Sequence, residues 1–125
     1  MGRTASLAED TNCRAVSEIL GRVGDKWSVQ VVVALRQRPH RFSELKRQIG
    51  GISQQMLTLT LKTLERDGMV ARTVRPTTPP QVSYELTELG RSLSNTVHQL
   101  AKWAIANLAA IHDSRQRYDE QRPAS

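Results

Sequence analysis

The sequence predicts an α+β chain, mostly helical, in which two short helices and a β-hairpin sit between longer helices. Three observations predict it. Between Arg41 and Asp67, two short amphipathic segments flank the turn Gly50-Gly51-Ile52-Ser53. From Met69 to Leu86, two runs alternate apolar and polar residues around a Pro-rich tip, as half-buried strands do. From Glu88 to about His112, Leu89, Leu93, Val97, Leu100, Trp103, Ala104, Leu108 and Ile111 recur at steps of three and four. Helix, turn, helix, hairpin is the order of a winged helix-turn-helix. The long C-terminal repeat adds a dimerisation helix, because a stripe of that length needs a partner to cover it.

Each element has a local cause. Residues 1–12 are small and polar without periodicity, which predicts a disordered N-terminal tail. A helix at about Arg14–Arg22 puts Val16, Ile19, Leu20 and Val23 on one side, with Gly21 and Gly24 at its end. Asp25 is the expected N-cap of a second helix, Lys26–Gln37. Trp27, Val31, Ala34 and Leu35 share one face of it, Val32 and Val33 fill beside them, and Pro39 stops it. His40-Arg41-Phe42 reads as an extended link. Ser43 is expected to cap a helix over Glu44–Gln48, with Glu44 where the helix dipole favours an anion and Leu45 and Ile49 as an i, i+4 core pair. Ser53 caps the next helix, Gln54–Asp67, and Gly68 ends it. The strands are Met69–Arg75 and Gln81–Leu86. Proline in the tip between them, Pro76 to Pro80, keeps the hairpin from extending as an edge. Thr87 caps the last helix, which runs to about His112 and spans about 36 Å at 1.5 Å per residue. Residues 113–125 read as a flexible C-terminal tail. The organisation is one winged helix-turn-helix domain over residues 13–112, with residues 88–112 as its dimerisation helix.

Charge narrows the partner. The chain has 125 residues and a formal net charge of +6, with a pI near 10.2. From Arg36 to Arg75 there are nine basic residues and three acidic ones, and the rest of the chain is balanced. The whole excess therefore sits on the helix-turn-helix and the first wing strand, which points to a polyanion, double-stranded DNA. A winged helix serving only protein interaction is the rival, and it gives no reason for this concentration. The longest apolar run, Val31 to Leu35, is far too short to span a bilayer. The N-terminal MGRTASLAED has no apolar stretch, so no membrane partner and a cytoplasmic location are expected. No Gly-rich phosphate loop, Ser-His-Asp set or paired-carboxylate signature is present, which argues against an enzyme. His40, His98 and His112 lack metal-ligand spacing, and one cysteine excludes both an internal disulfide and a Cys-rich metal site. No metal and no cofactor are expected.

On a helical wheel of residues 54–67, Leu57, Leu61 and Leu64 cluster with Thr60 as a buried face. Gln54 and Gln55 open the helix, and Gln55, Leu59, Lys62 and Arg66 lie opposite the leucines with Thr58 at the edge. Gln suits bidentate contact with adenine, and Lys and Arg suit guanine or phosphate. Leu59 either meets a thymine methyl or is an ordinary exposed leucine. Ser43 and Ser53 cap their helices and are placed to donate to phosphate. Arg41, Lys46 and Arg47 are expected phosphate contacts, and Arg72 and Arg75 flank the wing, where they track the backbone or enter the minor groove.

Several pieces, taken in order, resemble the HxlR-type family of bacterial transcription regulators, relatives of the MarR group. They are Cys13; Ile19-Leu20; Gly24-Asp25-Lys26-Trp27; Arg41-Phe42-Ser43-Glu44-Leu45; Ile49-Gly50-Gly51-Ile52-Ser53; Met56-Leu57-Thr58; Leu64-Glu65-Arg66-Asp67-Gly68; and Pro79 through Thr87. The resemblance covers about Cys13 to Trp103. It implies a homodimeric winged helix-turn-helix that binds an inverted-repeat operator. Two positions depart from the family's pattern: Arg14 follows Cys13 where Pro is common, and Leu59 replaces a usually polar residue.

Two features are candidate sensors. Cys13, the sole cysteine, is expected at the start of the first helix beside Arg14, a setting that stabilises thiolate. It would respond to oxidants or electrophiles; the alternative is a small buried hydrophobe. Trp27 and Trp103 either line a pocket for a small-molecule inducer or belong to the core.

Overall fold

In the computed structural model, which describes the backbone of residues 7–122 and the side chains of residues 13–122, the elements follow one order. They are α1 (Leu7–Gly24), α2 (Lys26–Ala34), β1 (His40–Arg41), α3 (Phe42–Gln48), α4 (Gln54–Arg66), β2 (Val70–Arg75), β3 (Gln81–Leu86) and α5 (Glu88–Gln121). This is the mostly helical α+β winged helix-turn-helix expected from the sequence. The chain divides between Ser94 and Asn95 into two compact units. The first holds everything up to the opening turns of α5; the second is the remainder of α5.

The core of the first unit forms where three amphipathic helices and the sheet turn their apolar sides together. Val31, Val32 and Leu35 come from α2 and its cap, Leu45 and Ile49 from α3 and its cap. Ile52 plugs the turn, Leu57, Leu61 and Leu64 come from α4, and Met69, Val70 and Leu86 from the sheet. The α4 leucines recur at four and three residues, so burying that one stripe fixes which side of the helix faces out. Asp25 caps α2 as expected: its carboxylate accepts from the Trp27 N–H at 3.3 Å and from the Ser28 hydroxyl at 2.7 Å.

The sheet is antiparallel in the order β1-β3-β2. The His40-Arg41 link is thus a short strand, pairing His40 with Tyr84 and Arg41 with Ser83. The turn after α4 and the start of α5 are joined by backbone. Gly68 takes φ +80°, a conformation that favours glycine. The Thr87 N–H donates to the Met69 carbonyl at 3.1 Å, and the Thr87 hydroxyl donates to the Gly68 carbonyl at 2.6 Å. The same hydroxyl accepts from the Gly90 N–H at 3.0 Å. Gly90 lies so close that an added Cβ would sit 2.0 Å from the Met69 carbonyl oxygen.

Several boundaries differ from the sequence reading. α1 begins at Leu7, so residues 7–12 of the expected disordered tail are helical; residues 1–6 lie outside the described residues. Once a helix is nucleated, each residue added to it gains a backbone hydrogen bond. α2 ends at Ala34, three residues short of the expected Gln37, with Leu35 as its cap and a tighter closing turn in which the Arg36 N–H donates to the Val33 carbonyl at 3.2 Å. Val33 is exposed rather than filling the core. α3 begins two residues earlier than expected, at Phe42, so Ser43 lies inside the helix and is not its cap. Arg41 is the N-cap, and its N–H donates to Glu44 Oε1 at 2.8 Å. α5 continues to Gln121, so residues 113–121 are not a frayed tail. Their Arg, Gln and Glu are good helix formers, which carry a helix without an apolar stripe; residues 123–125 lie outside the described residues.

Candidate nucleic-acid interface

The reading face of α4 is built by its own cap. Ser53 Oγ accepts from the Met56 N–H at 3.0 Å, which starts the helix at Gln54 and sets its phase. Thr60, on the buried side, returns its hydroxyl to the Met56 carbonyl at 2.8 Å and leaves no polar atom unpaired there. Opposite, Gln54, Gln55, Lys62 and Arg66 are exposed, Thr58 is half-buried and Leu59 is 58% exposed. None of the five polar side chains has a hydrogen-bond or ion-pair partner among the described residues. A row of unengaged donors and acceptors on a helix held from behind is a surface ready for a polar partner.

On α3, Ser43, Lys46 and Arg47 are all exposed. Arg41 leads into it and reaches the wing, its guanidinium donating to Gln81 Oε1 at 3.0 Å. Glu44 accepts from the Arg41 N–H and, at 3.4 Å, from the Arg38 guanidinium. The bond from the Arg41 N–H, then that from Arg38, hold its carboxyl below the ordinary range.

The sheet register separates the arginines that the sequence grouped. Arg72 stands opposite Tyr84, which stands opposite the buried His40. That row faces inward, and Arg72 and Tyr84 line a cleft of about 330 Å³ with Thr58, Lys62 and Glu65 of α4. Arg75 stands opposite Gln81, an odd number of residues from Arg72, and so lies on the other face with Arg41. The structure therefore brings Arg72 to the reading helix and takes Arg41 and Arg75 away from it. Sequence reasoning missed Tyr84, Glu65 and Arg38. The first two carried a signal, since strand alternation places Tyr84 on the side of Leu86 and helical spacing places Glu65 beside Lys62.

The candidate sensors are differently placed than expected. Cys13 is exposed, but it lies six residues inside α1, not at its start. Trp27 packs partly buried against the core, with Lys26 Nζ 4.5 Å from its ring centroid. Trp103 is exposed and belongs to the second unit. Among the described residues no group of three His, Cys, Asp or Glu side chains is placed to hold a metal, and no helix is long and apolar enough to cross a membrane.

A capped helix with an unengaged polar face, set beside a basic wing, defines a transcriptional regulator of the helix-turn-helix type. Comparisons with known proteins agree. The pattern of the HxlR-like helix-turn-helix family matches residues 22–112. The chain is 46% identical over 101 residues to the HTH-type transcriptional regulator YtfH of Escherichia coli strain K12, covering 78% of this chain and 80% of that one. The structure of the transcriptional regulator ytfH from Salmonella typhimurium superposes with a TM-score of 0.71 at 42% identity, over 81% of this chain and 90% of that one. The redox regulator HypR in its reduced form superposes with a TM-score of 0.72 at 37% identity, over 79% and 98%. The chain belongs to the HxlR-like helix-turn-helix family; it is a regulator and not an enzyme.

Proposed function

We propose that the chain binds double-stranded DNA in the cytoplasm as a homodimer on an inverted-repeat operator, with α4 in the major groove. The observation that carries this is the unengaged face of α4, Gln54, Gln55, Thr58 and Lys62, opposite a fully packed leucine stripe. Recognition helices read base edges mainly from their N-terminal part. Gln55, Thr58 and Lys62 are assigned to bases, with Leu59 beside them for a thymine methyl. Arg66, in the last turn of α4 and away from the N-terminal part that reads bases, holds phosphate. Ser43, Lys46 and Arg47 of α3 and Arg72 of the wing hold backbone as well.

The experiment uses a duplex selected from random sequence by the full chain. Gln55→Ala should cost about 1–3 kcal/mol on that duplex and change the preferred sequence. Arg72→Ala should weaken selected and random DNA alike, and lower the salt slope by about one unit. Equal losses on both duplexes for both variants would reject the division of roles.

The dimer is supported by uncovered apolar side chains on two helices. Val16, Ile19 and Leu20 of α1 are exposed, as are Leu100, Trp103, Ile105 and Leu108 of α5. Rows of this kind mark interfaces. A twofold dimer presents two copies of α4 to half-sites about one helical turn apart.

A second part of the reading is control by thiol oxidation. Its support is an exposed Cys13, the sole cysteine, together with the similarity to the redox regulator HypR. With one thiol per subunit, oxidation needs the partner's thiol or a small thiol to complete a disulfide. Diamide should lower the operator affinity of the wild-type protein and leave Cys13→Ser unchanged. Identical responses of the two proteins would make Cys13 structural and move attention to an inducer near Trp27 or Trp103.

A further inference from the structure

α1 reaches the reading helix of its own chain through a long-range ion pair. Arg22 Nε, in the last turn of α1, donates to Oδ2 of Asp67, the cap of α4, at 2.6 Å. The two residues are 45 apart in the chain, and their side chains are 24% and 19% exposed. The other ion pair among the described residues, Arg38 with Glu44 at 3.4 Å, joins residues only six apart.

Asp67 stands at the C-terminal end of α4, where the helix dipole disfavours a carboxylate. Its charge is therefore placed for α1 rather than for α4. A part-exposed pair adds little to folding, so its effect lies in orientation. Its backbone closes α4, the Asp67 N–H donating to the Thr63 carbonyl at 3.0 Å. The next residue, Gly68, accepts from the Thr87 hydroxyl at 2.6 Å. The end of α4 is thus held by α1 and by the start of α5 together. On α1, Val16, Ile19 and Leu20 are uncovered. At 100° per residue, Arg22 lies about 110° round the helix from the middle of that stripe. One helix therefore offers its apolar stripe to a partner and its flank to α4. The thirteen residues of α4 span about 20 Å, so a tilt of about 5° at the Asp67 end moves Gln54 and Gln55 by about 2 Å. Hydrogen bonds tolerate a range of only about 0.5 Å.

We propose that Arg22 is a positioning residue: its pair with Asp67 fixes the tilt of α4 against α1, and so the separation of the two reading helices in the dimer. What the pair selects is a duplex with one separation between its half-sites. This rests on the reading of α4 as the DNA-binding helix and of α1 as part of the dimer interface.

The test measures the affinity of wild type, Arg22→Ala, Arg22→Lys and Asp67→Asn for three kinds of DNA. They are the selected duplex, versions with one base pair added or removed between the half-sites, and a single half-site. One base pair turns a half-site by about 35° and moves it about 3.4 Å. Wild type should lose about tenfold or more with either change, because the second α4 no longer meets its half-site. Arg22→Ala should bind the single half-site as wild type does and the selected duplex about tenfold more weakly, with spacings distinguished by about threefold or less. Asp67→Asn, which keeps the shape of the side chain and removes its charge, should match it. Arg22→Lys should restore most of the wild-type profile. Circular dichroism checks folding, and if Arg22→Ala unfolds, Asp67→Asn decides by the same criteria. A variant profile that matches wild type, or a wild type indifferent to spacing, would overturn the link and leave the role of α4 intact. Equal loss on the single half-site and on every duplex would assign the pair to folding and overturn the link as well. A wild type that selects no duplex, or binds as a monomer, would overturn the underlying reading too.

Discussion

Gly90→Ala is expected to destabilise the protein by about 3 kcal/mol or more, a fall of roughly 12 °C or greater in Tm for a domain of this size. The added Cβ would lie 2.0 Å from the Met69 carbonyl oxygen and 3.1 Å from Leu86 Cδ2. Neither neighbour gives way easily. The Met69 carbonyl already accepts from the Thr87 N–H, and Leu86 is buried in the core. The Gly90 N–H is itself tied to Thr87, so the start of α5 has little room to move. Gly21→Ala is the control: nothing lies within 4 Å of its added Cβ. It should be neutral or gain up to about 1 kcal/mol from helix propensity. Thermal unfolding by circular dichroism at one fixed protein concentration checks both, since dimerisation shifts Tm by mass action. A fall below about 4 °C for Gly90→Ala would show that the joint between the α4 turn and α5 yields.

Leu100→Glu combined with Leu108→Glu should separate the subunits and reduce operator affinity by about a hundredfold or more, because the second half-site is then no longer bound intramolecularly. Both leucines are 52% exposed in the single chain, so its fold does not depend on them. Sedimentation would read the mass and a gel shift the affinity. A charged variant that remains a dimer would remove the interface from this part of α5, and a monomer with undiminished operator affinity would remove the need for a dimer at all.

The sequence made the centre of the site legible and left its edges open, for physical reasons. The phase of α4 followed from Leu57, Leu61 and Leu64 plus the cap at Ser53, because a buried stripe and a side-chain cap are both local signals. The alternation over Gln81–Leu86 predicts β3 with its observed bounds, since six residues of period two are informative. β1 is not predicted, because two residues have no period and become a strand only through β3. The first turns of α1 and the last of α5 went unread because a polar stretch helical by propensity shows no apolar rhythm. Ser43 has the residue type of a cap, whereas Glu44 stabilises the start of α3 by accepting the Arg41 N–H. Placing Cys13 at a helix start failed with the boundary of α1. The division of Arg72 from Arg41 and Arg75 depends on which strand pairs with which, a long-range fact absent from any window of the chain. The ion pair between Arg22 and Asp67 at 2.6 Å, tying α1 to the cap of α4, is equally non-local.

The two-sided arrangement of the wing restricts how its length can change. One residue inserted between Arg72 and Arg75 would turn one of these arginines to the opposite face, because a slip of one exchanges the faces of a strand. Two residues would restore the facing while lengthening the hairpin. Insertions within residues 76–80 disturb neither row, since the tip lies beyond the last pair, Arg75 with Gln81. Length variation in such a wing is therefore free at the turn and confined to even steps in its strands.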